Sequence, residues 1–175
     1  MSTTFIDNSA DYITRMNQAC EAALEACGNK AVSYAKKNIT EDVPRRADSW
    51  YTPTGALKNS ISHLVKMTES TVYIGTNMSY AKYNEFGTGI YADEGNGKQG
   101  FWVFVPGSDK PEGTSVGSAK VYTEAQAKRI VEMLKSKGID AHMTQGMKPI
   151  HFLKRAVEEH SKEYFQIMEK YISKA

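Results

Sequence analysis

Apolar residues recur at spacings of three and four along the first part of the chain, which is the pattern of one helical face. The stripe consists of Ile13, Met16, Cys20, Leu24, Cys27, Ala31 and Tyr34. Ser9 or Asn8 can cap the start of this helix, and Gly28 weakens it by ~1 kcal/mol relative to alanine. A helix running to about Asn38 is ~45 Å long. Because a small domain seldom covers such a length, we expect part of the helix to pack against a neighbouring subunit.

Strand-like segments follow a stretch that contains two prolines. Residues 40–53 are predicted to form a loop, and Thr54 is predicted to cap a short helical turn that carries Leu57 and Ile61. "SHLVKM" alternates between apolar and polar residues, and "TVYIGT" is rich in β-branched and aromatic residues. The short "TES" between them predicts a β-hairpin. "SYAKYNEFG" fits either a helical turn or a third extended segment.

The second half of the chain combines strand and helix signals. "FWVFVP" predicts a strand that ends at Pro106, and "KVYTEAQAKRIVEMLKSKGIDAHM" predicts strand–helix–strand. Thr123 and Gln126 form a capping box at the start of that helix, and Gly138 ends it. A second amphipathic helix is predicted after Pro149. The sequence therefore predicts an α+β fold, in which a long N-terminal helix and a C-terminal helix pack on a small antiparallel sheet with an inserted strand–helix–strand.

Composition limits the classes of function. The length of 175 residues suits one domain, and the net charge of +2 does not call for a nucleic-acid partner. The sequence has neither an apolar run near the ~20 residues of a membrane span nor a secretory signal pattern, so we expect action in the cytoplasm. Cys20 and Cys27 are seven residues apart, ~10 Å along a helix, which is too far for a disulfide. Both are predicted to be small core residues.

The glycine-rich stretch 87–100 does not have the pattern of a phosphate-binding loop. Such a loop needs Gly-Lys followed by Ser or Thr, whereas Gln99 follows Gly97 and Lys98 here. The four histidines show no spacing that would place two of them on one helical turn as metal ligands. The sequence therefore predicts no cofactor site, no metal site and no catalytic residue.

Two other functions remain open from the residues alone. Arg45 and Arg46 can contact phosphates, and Trp50 and Tyr51 beside them can stack on bases, as in a nucleic-acid-binding accessory protein. Glu85 is a single carboxylate among aromatic residues, where its pKa can be raised. A small hydrolase that uses Glu85 as a general acid or base is therefore a further alternative.

Three motifs occur in an order that resembles a known family. They are "TGALKNSI" at 54–61, "VYIGTNMSYAKYNEFGTG" at 72–89 and "KPIHFLKRAVEE" at 148–159. Together they resemble the small minor tail components of long-tailed phages and prophages, which are neck, tail-completion or head–tail joining proteins. The residues that match are Thr54, Gly55, Leu57, Ser60, Ile61, Gly75, Thr76, Tyr80, Ala81, Glu85, Phe86, Gly87, Thr88, Pro149, Phe152 and Leu153. Ile150 and His151 separate a proline and a phenylalanine that are usually adjacent in the family.

The resemblance implies a structural protein without enzymatic activity. It implies a ring of identical subunits, similar in fold to tail terminators, which are commonly hexameric. The ring would sit at the neck or the end of the tail and contact the tail tube and head-connector proteins while DNA passes through it. It also implies location in the virion, with assembly in the host cytoplasm. We expect a single domain, 1–175, with an insertion at about 107–146.

The stretch "SYAKYNEFGTGIY" is interpreted as a structural corner. Its aromatic side chains are predicted to pack against the sheet or a helix; they are Tyr80, Tyr83 and Phe86. Gly87 and Gly89 permit positive φ where the chain turns. Glu85 is predicted to accept backbone hydrogen bonds or to pair with Arg45 or Arg46, because a buried unpaired carboxylate costs several kcal/mol.

Overall fold

The computed structural model describes residues 7–46, 55–105 and 120–174, with the backbone alone for 42–46. The elements are α1 (Ser9–Arg46), α2 (Ala56–Ser60), β1 (Ser62–Lys66), β2 (Thr71–Gly75), α3 (Ala81–Phe86), β3 (Trp102–Phe104), α4 (Glu124–Ser136), β4 (His142–Thr144), α5 (Phe152–Glu158) and α6 (Ser161–Ile172). The α+β prediction is confirmed. The chain forms two compact units, one from Met1–Ala81 with His151–Ala175 and the other from Lys82–Ile150.

Helix α1 is longer than its sequence pattern predicts. It spans 38 residues, which is ~57 Å at ~1.5 Å per residue. The predicted loop is wrong for residues 40–46, which are helical. Pro44 lies in the last turn of the helix, and its missing N–H removes one helical hydrogen bond. The rest of the predicted loop and the cap at Thr54 lie outside the described residues, and Gly55 occupies the N-cap position of α2.

The first unit is built around α1. Strands β1 and β2 pair antiparallel, with Leu64 opposite Tyr73, and the hairpin packs against α1 together with α5 and α6. The buried positions described in this unit are mainly small or aliphatic, and they include Ala23, Leu24, Ala31, Ala35, Ile39, Leu57, Ile61, Phe152 and Ala156. The alanine residues on α1 allow close approach of the neighbouring elements, because their small methyl groups leave room for larger side chains from those elements.

The C-terminal segment forms two helices where the sequence predicts one. Helix α5 ends at Glu158 and α6 begins at Ser161. Between them, the His160 ring stacks on Tyr34, with ring centroids 3.3 Å apart. The Tyr164 hydroxyl donates to the Ala156 carbonyl at 2.5 Å. Because no proline or glycine marks the break, the apolar periodicity of the sequence does not reveal it.

The second unit contains a helix on two short strands. Strand β3 pairs antiparallel with β4, and α4 packs on both strands through a core that includes Val103, Ala127 and Leu134. The predicted capping box is present, because Thr123 and Gln126 exchange hydrogen bonds between side chain and backbone. Tyr122 forms an isolated bridge with Phe101, so the first predicted strand of the strand–helix–strand is reduced to a single residue.

Candidate assembly site

The first two motifs meet at the end of the β1–β2 hairpin. The Ser60 Oγ atom lies 2.5 Å from Thr76 Oγ1. Ser60 also donates to the Leu57 carbonyl at 2.8 Å, and Thr76 Oγ1 accepts from the Met78 N–H at 3.1 Å. Each hydroxyl carries a single proton, so the Thr76 hydroxyl is the donor to Ser60. These hydrogen bonds hold the end of α2 against the end of β2.

The aromatic residues of the second motif face outward. Tyr80, Tyr83 and Phe86 are 38%, 42% and 55% exposed, whereas Ala81 and Glu85 are buried. The prediction that the aromatic side chains pack inside is therefore wrong. The segment is the helix α3, on which residues four apart share a face, and the inward face carries the alanine and the glutamate.

The glycine turn after α3 lies against the chain that precedes the third motif. The Thr88 N–H donates to the Met147 carbonyl at 2.8 Å, and the Ile90 N–H donates to the Gln145 carbonyl at 3.0 Å. The Ile150 N–H donates to the Asn84 carbonyl at 2.7 Å. Residues 84–90 and 145–150 therefore run side by side, which brings the second motif to the start of the third.

This close approach requires glycine. Gly87 and Gly89 have φ values of 74° and 61°, which confirms the predicted positive φ at both. A Cβ atom at Gly89 would lie 2.0 Å from the Gln145 carbonyl oxygen, and one at Gly146 would lie 2.1 Å from the Thr88 carbonyl oxygen. The sequence alone does not reveal the role of Gly146, because that role depends on a contact with a distant part of the chain.

The same hydrogen bonds argue against a phosphate cradle. A phosphate loop offers free backbone N–H groups to an anion. Here the N–H groups of Thr88, Ile90 and Asp93 donate to carbonyls of the protein itself. The glycines of this turn therefore serve chain packing.

The exposed apolar residues described on the first unit include two groups, beside others such as Phe165 on α6. The helix patch near the start of α1 consists of Tyr12 and Ile13, which are 54% and 56% exposed, and the half-buried Met16. The hairpin patch consists of Leu64 and Tyr73, which are 59% and 48% exposed and lie directly opposite each other on β1 and β2. Contiguous exposed apolar patches are common at sites of protein association.

Residues 4–87 match the family described as "Bacteriophage HK97-gp10, putative tail-component". This part of the chain is similar to a phage tail component. The resemblance stated for the motifs is confirmed over these residues. No curated protein and no solved structure match the chain.

The match to the tail-component family covers both patches. It includes α1, the β1–β2 hairpin, the first motif and the second motif as far as Gly87. The third motif and α4 lie beyond it. The surfaces available for association on α1 and the hairpin therefore belong to the part of the chain that carries the family resemblance.

The other predicted site residues of this tail-component-like chain are only partly described. The side chains of Arg45 and Arg46 lie outside the described residues, as do Trp50 and Tyr51. The predicted nucleic-acid contact and the predicted pairing of Glu85 with an arginine therefore concern residues that the structure does not describe. In the described residues, no cluster of His, Cys, Asp or Glu has the geometry of a metal site. Within the same residues, no helix is long and apolar enough to cross a membrane.

A polar cluster fastens α6 to α1. The Tyr34 hydroxyl donates to Glu163 Oε2, and Lys30 Nζ lies 3.0 Å from Glu163 Oε1. The hydrogen bond from Tyr34, supported by that from Lys30, lowers the pKa of Glu163, and the bond to Glu163 raises the pKa of Tyr34. Glu163 is therefore held as a carboxylate between two donors.

The thiol beside this cluster is not activated. Cys27 Sγ donates to the Tyr164 carbonyl at 3.7 Å, and burial raises the pKa of Cys27. Burial also raises the pKa of Tyr164 to about 12. A reactive cysteine needs a lowered pKa, so Cys27 has a packing role. Cys20 and Cys27 are both free and half-buried.

Acidification is expected to loosen the α1–α6 contact through Glu163. The pKa of Glu163 is lowered in the folded chain from an ordinary value of 4.5. Its contribution to stability is therefore present above pH 4.5 and is lost as the pH falls through the lower folded pKa. Urea midpoints measured from pH 7 to pH 3 should fall more for the wild type than for Glu163→Gln. Glu158→Gln, at an exposed position, is the control. If the urea midpoint fell equally with pH in the wild type and in Glu163→Gln, the prediction would be contradicted.

Proposed function

We propose that the protein is a non-enzymatic structural component of a phage virion that forms a closed ring at the neck or the tail end, through which DNA passes. The observation that carries this proposal is the presence of two separate exposed apolar patches on the part of the chain that matches the tail-component family. A subunit of an assembly buries them between copies.

Ring closure needs two different surfaces on each subunit. In a head-to-tail contact, one surface of a copy meets another surface of the next copy, and the chain of contacts closes if the rotation allows it. The helix patch and the hairpin patch lie on different elements of the same unit. The first unit therefore offers both surfaces that a ring subunit needs.

The charge of the chain suits a passage for DNA. The net charge is only +2, and a strongly basic surface would hold the phosphates and slow the passage of the genome. A ring built on apolar contacts between subunits allows the channel wall to bind DNA weakly. The partners proposed for the ring are the tail tube and the head connector.

Deletion of the gene from a phage or prophage that encodes this protein is expected to abolish infectious particles. Electron microscopy of the lysate distinguishes the two positions of the ring. Separated full heads and finished tails would indicate head–tail joining, whereas overlong tails would indicate tail completion. The wild-type gene supplied from a plasmid is the control and should restore infectivity. Normal infectious particles without the gene would contradict the proposed function.

A further inference from the structure

We propose that α6 is an exchangeable arm, which turns away from its own α1 at a hinge at His160 and packs on α1 of the next copy. There it repeats the contacts that it makes within its own chain. Because the copies that exchange arms are the subunits of the ring, this inference rests on the proposed function. Its support comes from the junction between α5 and α6, from the way α6 is fastened, and from the match between α6 and α1.

The interruption between α5 and α6 is confined to one residue. Glu159 has φ of −71° and ψ of −19°, which is still helical backbone. His160 departs from it, with φ of −117° and ψ of 14°. A change of these two angles to about −63° and −42° would make residues 152–172 one continuous helix. The junction therefore has the form of a single-residue hinge.

The sequence of this segment is that of one unbroken helix. Residues 152–172 contain neither proline nor glycine, and the apolar stripe runs through the break from Ala156 to Tyr164. Glu158 and Lys162 stand four residues apart across the break. In a continuous helix they would form a favourable ion pair, since glutamate precedes lysine. The continuous form is therefore compatible with the local sequence.

Contacts with α1 hold the bent form. The His160 ring stacks on Tyr34. Glu163 accepts a hydrogen bond from the Tyr34 hydroxyl and lies 3.0 Å from Lys30 Nζ. In the continuous helix Glu163 would instead stand four residues from Glu159, where like charges repel. Glu163 therefore favours the bent form in two ways, through the partners that it has on α1 and through the repulsion that it avoids.

The last turn of α5 has a hydrogen-bond donor available in both forms. In a continuous helix the Ala156 carbonyl accepts the N–H of His160. At the break this carbonyl accepts the Tyr164 hydroxyl at 2.5 Å. Straightening of the junction therefore does not leave the Ala156 carbonyl without a donor.

Helix α6 buries little of itself against α1. The structure describes α6 throughout, and the helix has no buried side chain, whereas α5 buries Phe152 and Ala156. Its inner face is only half-buried, as at Tyr164 and Met168, and the neighbouring Phe165 is 74% exposed. Segments with few buried apolar side chains open at a lower free energy than the core. We therefore expect α6 to leave α1 while α5 stays in place.

The released arm and the face of α1 that it leaves match each other group by group. The face offers the Lys30 ammonium and the Tyr34 hydroxyl to the Glu163 carboxylate, and the Cys27 thiol donates to the Tyr164 carbonyl. A second copy of this chain therefore supplies the complementary partner for each. Exchange of an identical element costs little, and an arm that lies on the next subunit is a head-to-tail contact that can close into a ring.

Two replacements of His160 test the hinge. In a Cys20→Ser background Cys27 is the only cysteine, and its reaction with N-ethylmaleimide reports release, because its thiol lies against the Tyr164 carbonyl. His160→Ala and His160→Gly both remove the ring that stacks on Tyr34. Since alanine favours a continuous helix and glycine opposes it, Cys27 should react about fivefold faster in His160→Ala than in His160→Gly.

The opposite order identifies a different kind of opening. Equal rates for the two variants, or a faster reaction in His160→Gly, would mean that α6 leaves α1 by unfolding, and would overturn the proposal. Tyr171→Phe, at an exposed tyrosine of the same helix, is the control and should leave the rate of Cys27 modification unchanged.

A mixture of two chains tests the exchange. A Lys30→Glu chain and a Glu163→Lys chain each bring like charges together, whether α6 lies on its own α1 or on that of an identical copy. In an equal mixture at high concentration, each arm finds an opposite charge on α1 of the other chain. The mixture should therefore associate in sedimentation experiments, and its Cys27 should react roughly three- to tenfold more slowly than in either chain alone.

A single chain that carries both Lys30→Glu and Glu163→Lys is the matched control. It restores an attractive pair within each chain, so the slow reaction of Cys27 should return even in dilute solution. If the mixture of the two single variants behaves as the average of its components, α6 stays with its own α1 and the proposal is wrong, even where the hinge opens.

These outcomes are separate from the test of the proposed function. Rings that assemble from the wild-type protein, while the mixture shows no exchange, would leave the ring in place and eliminate the arm. Normal infectious particles after deletion of the gene would eliminate the function, whatever the mixture shows.

Discussion

Replacement of Gly89 with alanine is expected to lower the free energy of unfolding by about 2–5 kcal/mol. The left-handed conformation of this residue, with φ of 61°, costs an alanine about 1–2 kcal/mol. The new Cβ atom would also lie 2.0 Å from the Gln145 carbonyl oxygen, and overpacking of this kind costs about 1–3 kcal/mol. Urea unfolding followed by circular dichroism measures the loss.

Gly95 provides a matched control for the Gly89→Ala experiment. Its φ of 65° is almost the same, but a Cβ atom at Gly95 would have no neighbour within 4 Å. Gly95→Ala is therefore expected to cost only the conformational part, about 1–2 kcal/mol. The difference between the two variants isolates the clash with Gln145. Equal losses from Gly89→Ala and Gly95→Ala would show that the close approach of the two segments contributes nothing.

The sequence predicts elements whose signals are local. The stripe of α1 and the capping box formed by Thr123 and Gln126 depend on residues within one or two helical turns, and both are present. The break between α5 and α6 coincides instead with the stacking of His160 on Tyr34, a residue that is distant in sequence. Contacts of this kind leave no periodic signal in the sequence.

The orientation of the corner was predicted incorrectly for a similar reason. Aromatic residues are usually buried, so Tyr83 and Phe86 were expected to pack inside. The short helix α3 instead turns Ala81 and Glu85 inward, and nothing local distinguishes this face from the other. The positive φ values of Gly87 and Gly89 were predicted correctly. A Gly-Thr-Gly turn favours them through the local freedom of glycine, which does not depend on distant residues.

In the candidate assembly site too, features with a local sequence signal were predicted, and features that depend on distant contacts were not. The periodicity of α1 predicts its length as far as about Asn38, which leads to the expectation of a neighbouring subunit, but it does not predict the continuation to Arg46. The exposure of Leu64 and Tyr73 was not readable, because alternation on a strand does not say which face the helix covers. The packing of His63 over Gly28 determines that choice. The contact of His63 with Gly28 turns the opposite face of the hairpin, which carries the hairpin patch, away from α1.

Replacement of Gly28 with alanine is expected to destabilise the protein by up to about 2 kcal/mol, although alanine is the better helix former. In an open helix the change would stabilise by ~1 kcal/mol. Here the added Cβ atom would lie 2.4 Å from His63 Cδ2 and 2.7 Å from Cγ. The His63 ring cannot move away freely, because its Nε2 atom lies 2.8 Å from Glu25 Oε2. The overpacking cost of about 1–3 kcal/mol therefore cancels or exceeds the gain in helix propensity.

A second substitution reverses the sign of this effect. In a His63→Ala background the ring is absent, so Gly28→Ala has no side chain to clash with and should stabilise by up to ~1 kcal/mol. A double-mutant cycle measured by urea unfolding reports the coupling between the two positions. Destabilisation by Gly28→Ala in both backgrounds would mean that the hairpin does not rest on the helix at this glycine. Stabilisation in both would mean that the His63 ring gives way, and that the hairpin is free to shift along α1.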